Sequence, residues 1–391
     1  MGYGNQSCDR WRYINVIHYF NSKFMPFFNF NNIKISAVSV AVPSNVVKVD
    51  SFADTFGEDY VKKFQESTGI REFRKTAEHQ TASDLCFAAA ENIIKKKDID
   101  RNEIGVLIFI AHSTDYRRPA TACVLHKRLG LSKDCAAFDI SLGCSAFVYG
   151  LQVASSMLEC SNSKKALVLV GETLTKMVHP EDRSVAMLFG DGGSATLLEK
   201  IEGDSEIRGL LKSDGSGYRA IIAPAGGFRN MNASKDVFTW EDGNRRTLYN
   251  TVMNGVDVFS FTISDVAKSI KEFLKETDTT PDDYDVLAFH QANQSIQKML
   301  CKKLKTDPSH MPLCLDRYGN PSAPAIPLVL CDQYGENDED KELRILMCGF
   351  GVGLSWGVCS ATINVKDIYP VIESDEIFEE GIINSPQDFF K

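Results

Sequence analysis

The stretch Phe138-Asp139-Ile140-Ser141-Leu142-Gly143-Cys144-Ser145-Ala146-Phe147-Val148-Tyr149-Gly150 decides how this chain is read. A strand-like run from Cys135 to Ile140 breaks at Gly143, and an apolar-periodic helix follows. The break delivers Cys144 to the helix start, where unpaired backbone N–H groups meet the positive end of the helix dipole. A thiol held there is expected to lose its proton more easily, and the thiolate is the reactive form. The competing account of an isolated cysteine is a small buried hydrophobe.

Two later segments favour chemistry. Leu287-Ala288-Phe289-His290-Gln291-Ala292-Asn293 runs from a short strand into a polar turn and a helix, which puts His290 at a strand end. Tyr318-Gly319-Asn320-Pro321-Ser322-Ala323-Pro324-Ala325-Ile326-Pro327 places Asn320 in a Gly/Pro loop ahead of an apolar helix. Cys, His and Asn in this order suit acyl-thioester chemistry, with a soft nucleophile and two hydrogen-bond donors for a carbonyl oxygen. Papain-like proteases share the order. Their cysteine lies near the mature N-terminus in a different local motif, which Gly143-Cys144-Ser145 does not fit.

Further segments extend the pattern: Ser67-Thr68-Gly69-Ile70-Arg71-Glu72, Phe189-Gly190-Asp191-Gly192-Gly193-Ser194-Ala195, Ser213-Asp214-Gly215, and Met253-Asn254-Gly255 with Phe259. Gly319-Asn320-Pro321-Ser322 and Gly349-Phe350-Gly351-Val352-Gly353-Leu354-Ser355-Trp356-Gly357 complete it. In this order, from roughly residue 33 to 365, they resemble the β-ketoacyl-acyl-carrier-protein synthase III family of thiolase-fold condensing enzymes. The resemblance implies an α/β chain of two pseudo-repeated βαβαβαββ halves, stacked as a five-layer α-β-α-β-α sandwich. It also implies a homodimer.

Composition agrees with a soluble cytoplasmic enzyme. The 391 residues suffice for a large core, and 43% hydrophobic with 24% charged content is ordinary for globular proteins. A net charge of −9 and a pI near 5.4 argue against nucleic acid as the main partner. Eleven cysteines without CxxC or metal-ligand spacing read as reduced thiols, with neither a disulfide scaffold nor a metal site. No apolar run approaches the length of a membrane span, and residues 1–32 lack the continuous apolar core of a signal peptide.

Continuous apolar runs at Val106 to Ala111 and Ala166 to Val170 predict strands buried on both faces, while Ser83 to Lys95 and Val256 to Leu274 carry helical spacing. Strands alternating with helices imply an α/β architecture. A weak internal symmetry pairs Ala166 to Thr173 and Ser194 to Leu198 with Ile345 to Cys348 and Cys359 to Ile363. We divide the chain into an N-terminal extension (1–32), a half carrying the cysteine (33–203), a half carrying His290 and Asn320 (204–365), and an acidic tail (366–391). The first strand of the family is expected at Ile33. Met25 offers a second start, and the tail reads as a surface extension without a function.

By resemblance, an acyl group arriving on coenzyme A or acyl carrier protein moves to Cys144, and no bound cofactor is needed. Its oxyanion is held by the backbone N–H groups of Cys144 and Val352. Malonyl-acyl carrier protein then loses carbon dioxide, and His290 with Asn320 stabilises the enolate. Thirty residues separate these two, as in the family. Departures concern the substrate. Arg118, preceded by Arg117, stands where the family has an aromatic residue reaching into the partner's acyl pocket; this implies a longer, polar or acidic donor. Lys63 and Ser67 replace the tryptophan and arginine around the adenine, while Arg71 is retained. Ser295 replaces an arginine of the carrier-protein patch, yet Lys298, Lys302 and Lys303 keep a basic docking face, with Lys305 nearby. Two other functions compete: acyl transfer to an alcohol or amine without decarboxylation, and a non-catalytic scaffold subunit.

Overall fold

The computed structural model describes residues 27–390. Its main strands are β1 (Phe27–Phe30), β2 (Ile33–Val42), β3 (Ile104–Ile110), β4 (Ala136–Ile140), β5 (Lys165–Glu172) and β6 (Gly192–Lys200). The second half adds β7 (Ile207–Ser213), β8 (Val286–Phe289), β9 (Glu342–Gly351) and β10 (Ser355–Asn364), and β11 (Ile372–Glu373) ends the series. Six strands form one sheet in the order β11-β2-β6-β5-β3-β4, and five form a second in the order β1-β7-β10-β9-β8.

The two sheets repeat one frame. β3 and β5 run parallel, β6 runs antiparallel to both β5 and β2, and β8, β9, β10 and β7 reproduce the pattern. Alternation along each strand sorts the apolar side chains into layers. Val106, Ile108 and Ile110 of β3 face an inner core shared with Ile345 and Met347 of β9, whereas Leu107 and Phe109 face outward. Helix α1 (Ala82–Lys97) covers that outer face through Leu85, Ala89 and Ile93. Helices α2 (Ala146–Glu159) and α5 (Ala325–Tyr334) fill the space between the sheets with Phe147, Leu151, Ala154, Ile326 and Val329. Beyond the second sheet, α3 (Ala267–Glu276) and α4 (Gln294–Leu304) bury Ile270, Phe273, Ile296 and Leu300 against Leu346 and Val358. The result is the five-layer α-β-α-β-α sandwich.

Three details depart from the sequence reading. Phe27–Phe30, placed in an extension, pair antiparallel with β7 as an edge strand, and Phe27 stacks on Phe273 at 5.9 Å. The acidic tail is likewise attached: β11 pairs with β2, the Gln80 amide donates to the Ser374 and Glu376 carbonyls, and the Tyr116 hydroxyl donates to the Gly381 carbonyl. Finally, among the described residues the second sheet has no counterpart of β4; the corresponding stretch around Pro308 and Pro312 carries no strand. Proline cannot donate to a ladder. The second start at Met25 lies outside the described residues.

Candidate active site

Gly143 closes the turn after β4 by accepting from the Ala146 N–H at 2.8 Å, so Cys144 sits just before α2 begins. The thiol is 8% exposed. The second half supplies its cover. A Cβ on Gly351 would lie 2.7 Å from the Cys144 sulphur, so only glycine lets β9 pass there. Ser145 and Ser355 join the helix start to the β9–β10 turn through their hydroxyls at 2.7 Å. Val352 of that turn accepts from the Ser355 hydroxyl at 2.8 Å.

The sequence reading expects a thiol that ionises easily, and the structure corrects this. Burial pushes the resting Cys144 thiol above its ordinary pKa and the Glu172 charge adds to the push, against the Ser322 hydroxyl and the Val352 and Cys144 backbone N–H groups. Those three opposing groups set donors around the sulphur, and donors so placed favour negative charge on it. Ser322 Oγ stands 3.4 Å from the Cys144 sulphur.

His290 ends β8, where its N–H donates to the Cys348 carbonyl at 2.8 Å and its ring meets Phe350 edge-on at 5.3 Å. Burial pulls its imidazolium down to about 4, with the Ser322 backbone opposing, so the ring is neutral near pH 7. Asn320 is threaded into the first half: its N–H donates to the Leu188 carbonyl and its own carbonyl accepts from Gly190. Asn320 Oδ1 accepts the Ser322 N–H at 2.9 Å, which leaves the Nδ2 donor for the cavity. Ser322 itself adopts φ +61°, a left-handed conformation uncommon for a serine. It thereby touches the thiol with its hydroxyl and the Asn320 amide with its backbone.

Cys144, His290, Asn320, Ser322 and Val352 line one cavity of about 510 Å³, whose remaining wall is mainly apolar, including Leu174, Met177, Phe189, Ile222 and Phe259. Asp191 of the Gly190-Asp191-Gly192-Gly193 motif does not reach it. That carboxylate is buried under Thr76 and Thr175, each of which donates both its N–H and its hydroxyl. The motif is framework.

A family model described as 3-oxoacyl-(acyl-carrier-protein) synthase III matches residues 138–215, and its C-terminal companion matches residues 274–363. A 3-oxoacyl-(acyl-carrier-protein) synthase 3 of Campylobacter jejuni is 34% identical over 87% of this chain and 96% of its own. A β-ketoacyl-(acyl-carrier-protein) synthase III of Clostridium beijerinckii is 33% identical over 83% and 98%. The chain belongs to the 3-oxoacyl-(acyl-carrier-protein) synthase III family.

Among solved structures, a 3-oxoacyl-(acyl-carrier-protein) synthase of Burkholderia xenovorans superposes with a TM-score of 0.85 at 32% identity, covering 90% of this chain and 99% of that one. The protein is thus an acyltransferase of the condensing-enzyme type.

The other sequence-derived site residues fall elsewhere on this synthase. Arg71 is exposed and outside the cavity wall; its backbone bonds Val49 and Asp316, while Ser67 and Thr68 line the wall. Arg118 is exposed and likewise no part of its own chain's cavity. Lys298, Lys302 and Lys303 are exposed along α4, whose first turn brings Ser295 and Ile296 to the cavity. Sequence reasoning assigned no role to Ser322, His112 or Glu172, all of which line the cavity. Ser322 was legible as a motif member; the other two belong to strand ends whose meeting depends on the sheet.

Proposed function

We propose that this synthase condenses an acyl thioester with malonyl-acyl carrier protein, using Cys144 as nucleophile and His290 with Asn320 at the acceptor. Attack by the Cys144 sulphur forms the acyl-enzyme and expels the carrier thiol, which leaves with the proton. Malonyl thioester then breaks its bond to the carboxylate, releasing carbon dioxide and an enolate. Neutral His290 and Asn320 Nδ2 donate to the enolate oxygen without quenching the carbanion. The carbanion attacks the acyl carbonyl, the N–H groups of Cys144 and Val352 hold the oxyanion, and the Cys144 thiolate is expelled as the 3-oxoacyl product forms and takes up a proton from solvent to restore the thiol.

One observation carries the reading. Asn320 spends its carbonyl on the Ser322 N–H and faces a cavity shared with Cys144 and a neutral His290. Such a pair of neutral donors suits an enolate, and acyl transfer to an alcohol has less need of it. Purified protein given an acyl thioester and malonyl-carrier protein should release carbon dioxide and 3-oxoacyl-carrier protein in equal amounts. Acyl transfer without carbon dioxide would replace this reading.

We place carrier docking on the α4 lysines, because an acidic carrier fits a local basic face on an otherwise acidic protein. A homodimer fits β4, a sheet-edge strand with Ala136 exposed and an unpaired hydrogen-bonding edge. Ala166 to Val170 lie inside the chain's own core and are not part of that face. Arg118 then reaches the partner's cavity, and the division at 203/204 separates the nucleophile half from the donor half. We assign the enzyme to the cytoplasm.

A further inference from the structure

The cavity holds two ionisable groups that the condensation does not use, His112 and Glu172, and both lie near the nucleophile. Glu172 ends β5 and is 0% exposed. Its carboxylate accepts the His112 N–H at 2.8 Å, the Ser113 N–H at 3.2 Å and the Ser113 hydroxyl at 2.7 Å. The Ser113 hydroxyl in turn accepts the Thr173 N–H at 3.0 Å. A fully buried carboxylate is thus committed to holding the backbone just after β3 in one place.

The imidazole presented there is fixed at a second point. Ser141 Oγ and His112 Nδ1 lie 3.3 Å apart. The opposite edge of the ring faces Gly143: a Cβ there would stand 3.1 Å from His112 Cδ2 and 3.2 Å from Nε2. Gly143 directly precedes Cys144, and His112 and Cys144 line the same cavity. Unlike Glu172, His112 is exposed, and among the described residues none hydrogen-bonds its Nε2.

We propose that His112 Nε2 recognises a hydroxyl on the acyl group carried by Cys144. This deepens the condensing reading above and rests on it. A hydroxyl both donates and accepts, so it pairs with the ring whichever way the Ser141 hydrogen bond sets the tautomer. Within the chain's own cavity a carboxylate fits less well, because Glu172 lies in the same wall and two anions repel; the succinyl donor measures this against the Arg118 charge that the partner would bring. A plain alkyl chain leaves the imidazole unpaired when it is desolvated. Glu172 is a positioning residue that also sets this charge preference.

The test is competitive acylation of Cys144, read by intact mass, with pantetheine thioesters of butyryl, 3-hydroxybutyryl, 4-hydroxybutyryl and succinyl groups. Pantetheine is common to coenzyme A and carrier-protein donors, so it does not prejudge the source. Wild-type protein is expected to favour one hydroxybutyryl donor over butyryl by about tenfold, the worth of one well-made hydrogen bond. His112→Leu should abolish the preference, and His112→Gln should retain part of it. Glu172→Gln, which keeps an acceptor but removes the charge, should raise succinyl loading severalfold. Equal use of butyryl and both hydroxybutyryl donors by wild type, or a preference that survives His112→Leu, would overturn the proposal. Unchanged succinyl loading in Glu172→Gln would overturn the role given to Glu172. Failure of every donor to acylate Cys144 would remove the condensing reading as well.

Discussion

The two halves build the same four-strand frame and finish it differently. In the first, β4 extends the sheet beyond β3 and runs through Gly143 into Cys144 at the start of α2. In the second, no strand lies beyond β8 among the described residues, and the chain there passes through Pro312 toward the Gly319-Asn320-Pro321-Ser322 loop. The half that keeps its edge strand carries the proposed nucleophile at a helix start, and the half without one carries the proposed hydrogen-bond donors at a strand end and in a loop. Burial then acts on both in one sense, raising the Cys144 pKa and drawing His290 down to about 4. Thiol and imidazole both rest uncharged. The site is arranged for charge that exists only during reaction.

The largest expected effect breaks the first half's contribution. Cys144→Ser should lower condensation by about a thousandfold or more, because a serine hydroxyl without a dedicated base is a poor nucleophile. Intact mass should show no acyl-enzyme, and condensation at the wild-type rate would refute the nucleophile. Next comes the second half. His290→Ala or Asn320→Ala should slow malonyl decarboxylation by about a hundred- to a thousandfold, the usual loss for one preorganised oxyanion donor. Acylation should persist in both variants, and its loss would mean that the halves do not act separately.

The contact between the halves can be broken too. Gly351→Ala puts a methyl where the Cys144 sulphur lies 2.7 Å away, and a displacement of this kind costs about a hundredfold in rate. Acylation rates measured beside circular dichroism would separate displacement from misfolding. The smallest effect is one of pH. With the thiol raised, acylation should continue to climb as pH rises through 9. With the imidazolium near 4, His290 stays neutral at every pH above that, so decarboxylation should show no acid limb near 6.5. An acid limb at 6.5 that vanishes in His290→Ala would contradict the burial account.

Much of this was legible in the chain. Val106 to Ala111 and Ala166 to Val170 are apolar without interruption because strands in the middle of a covered sheet face core on both sides. Cys144, His290 and Asn320 each stand at an element end marked by glycine, polar turn residues or proline, which is where binding groups are presented. Other features depend on tertiary neighbours. The direction of the Cys144 shift follows from burial under the second half, where Gly351 packs against the sulphur from far away in sequence, and the helix start in the local sequence gives no sign of that cover. β1 and β11 are short strands that exist because an open sheet edge receives them. The left-handed backbone of Ser322 and the meeting of His112 with Glu172 across two strand ends leave no local mark.

The most direct measurement of the division of labour uses Cys144→Ala with malonyl-carrier protein and no acyl donor. If His290 and Asn320 carry decarboxylation by themselves, this variant should release carbon dioxide and leave acetyl-carrier protein, while the double variant Cys144→Ala/His290→Ala should not. Carbon dioxide release that disappears with Cys144 alone would contradict the assignment of the two half-reactions to the two halves.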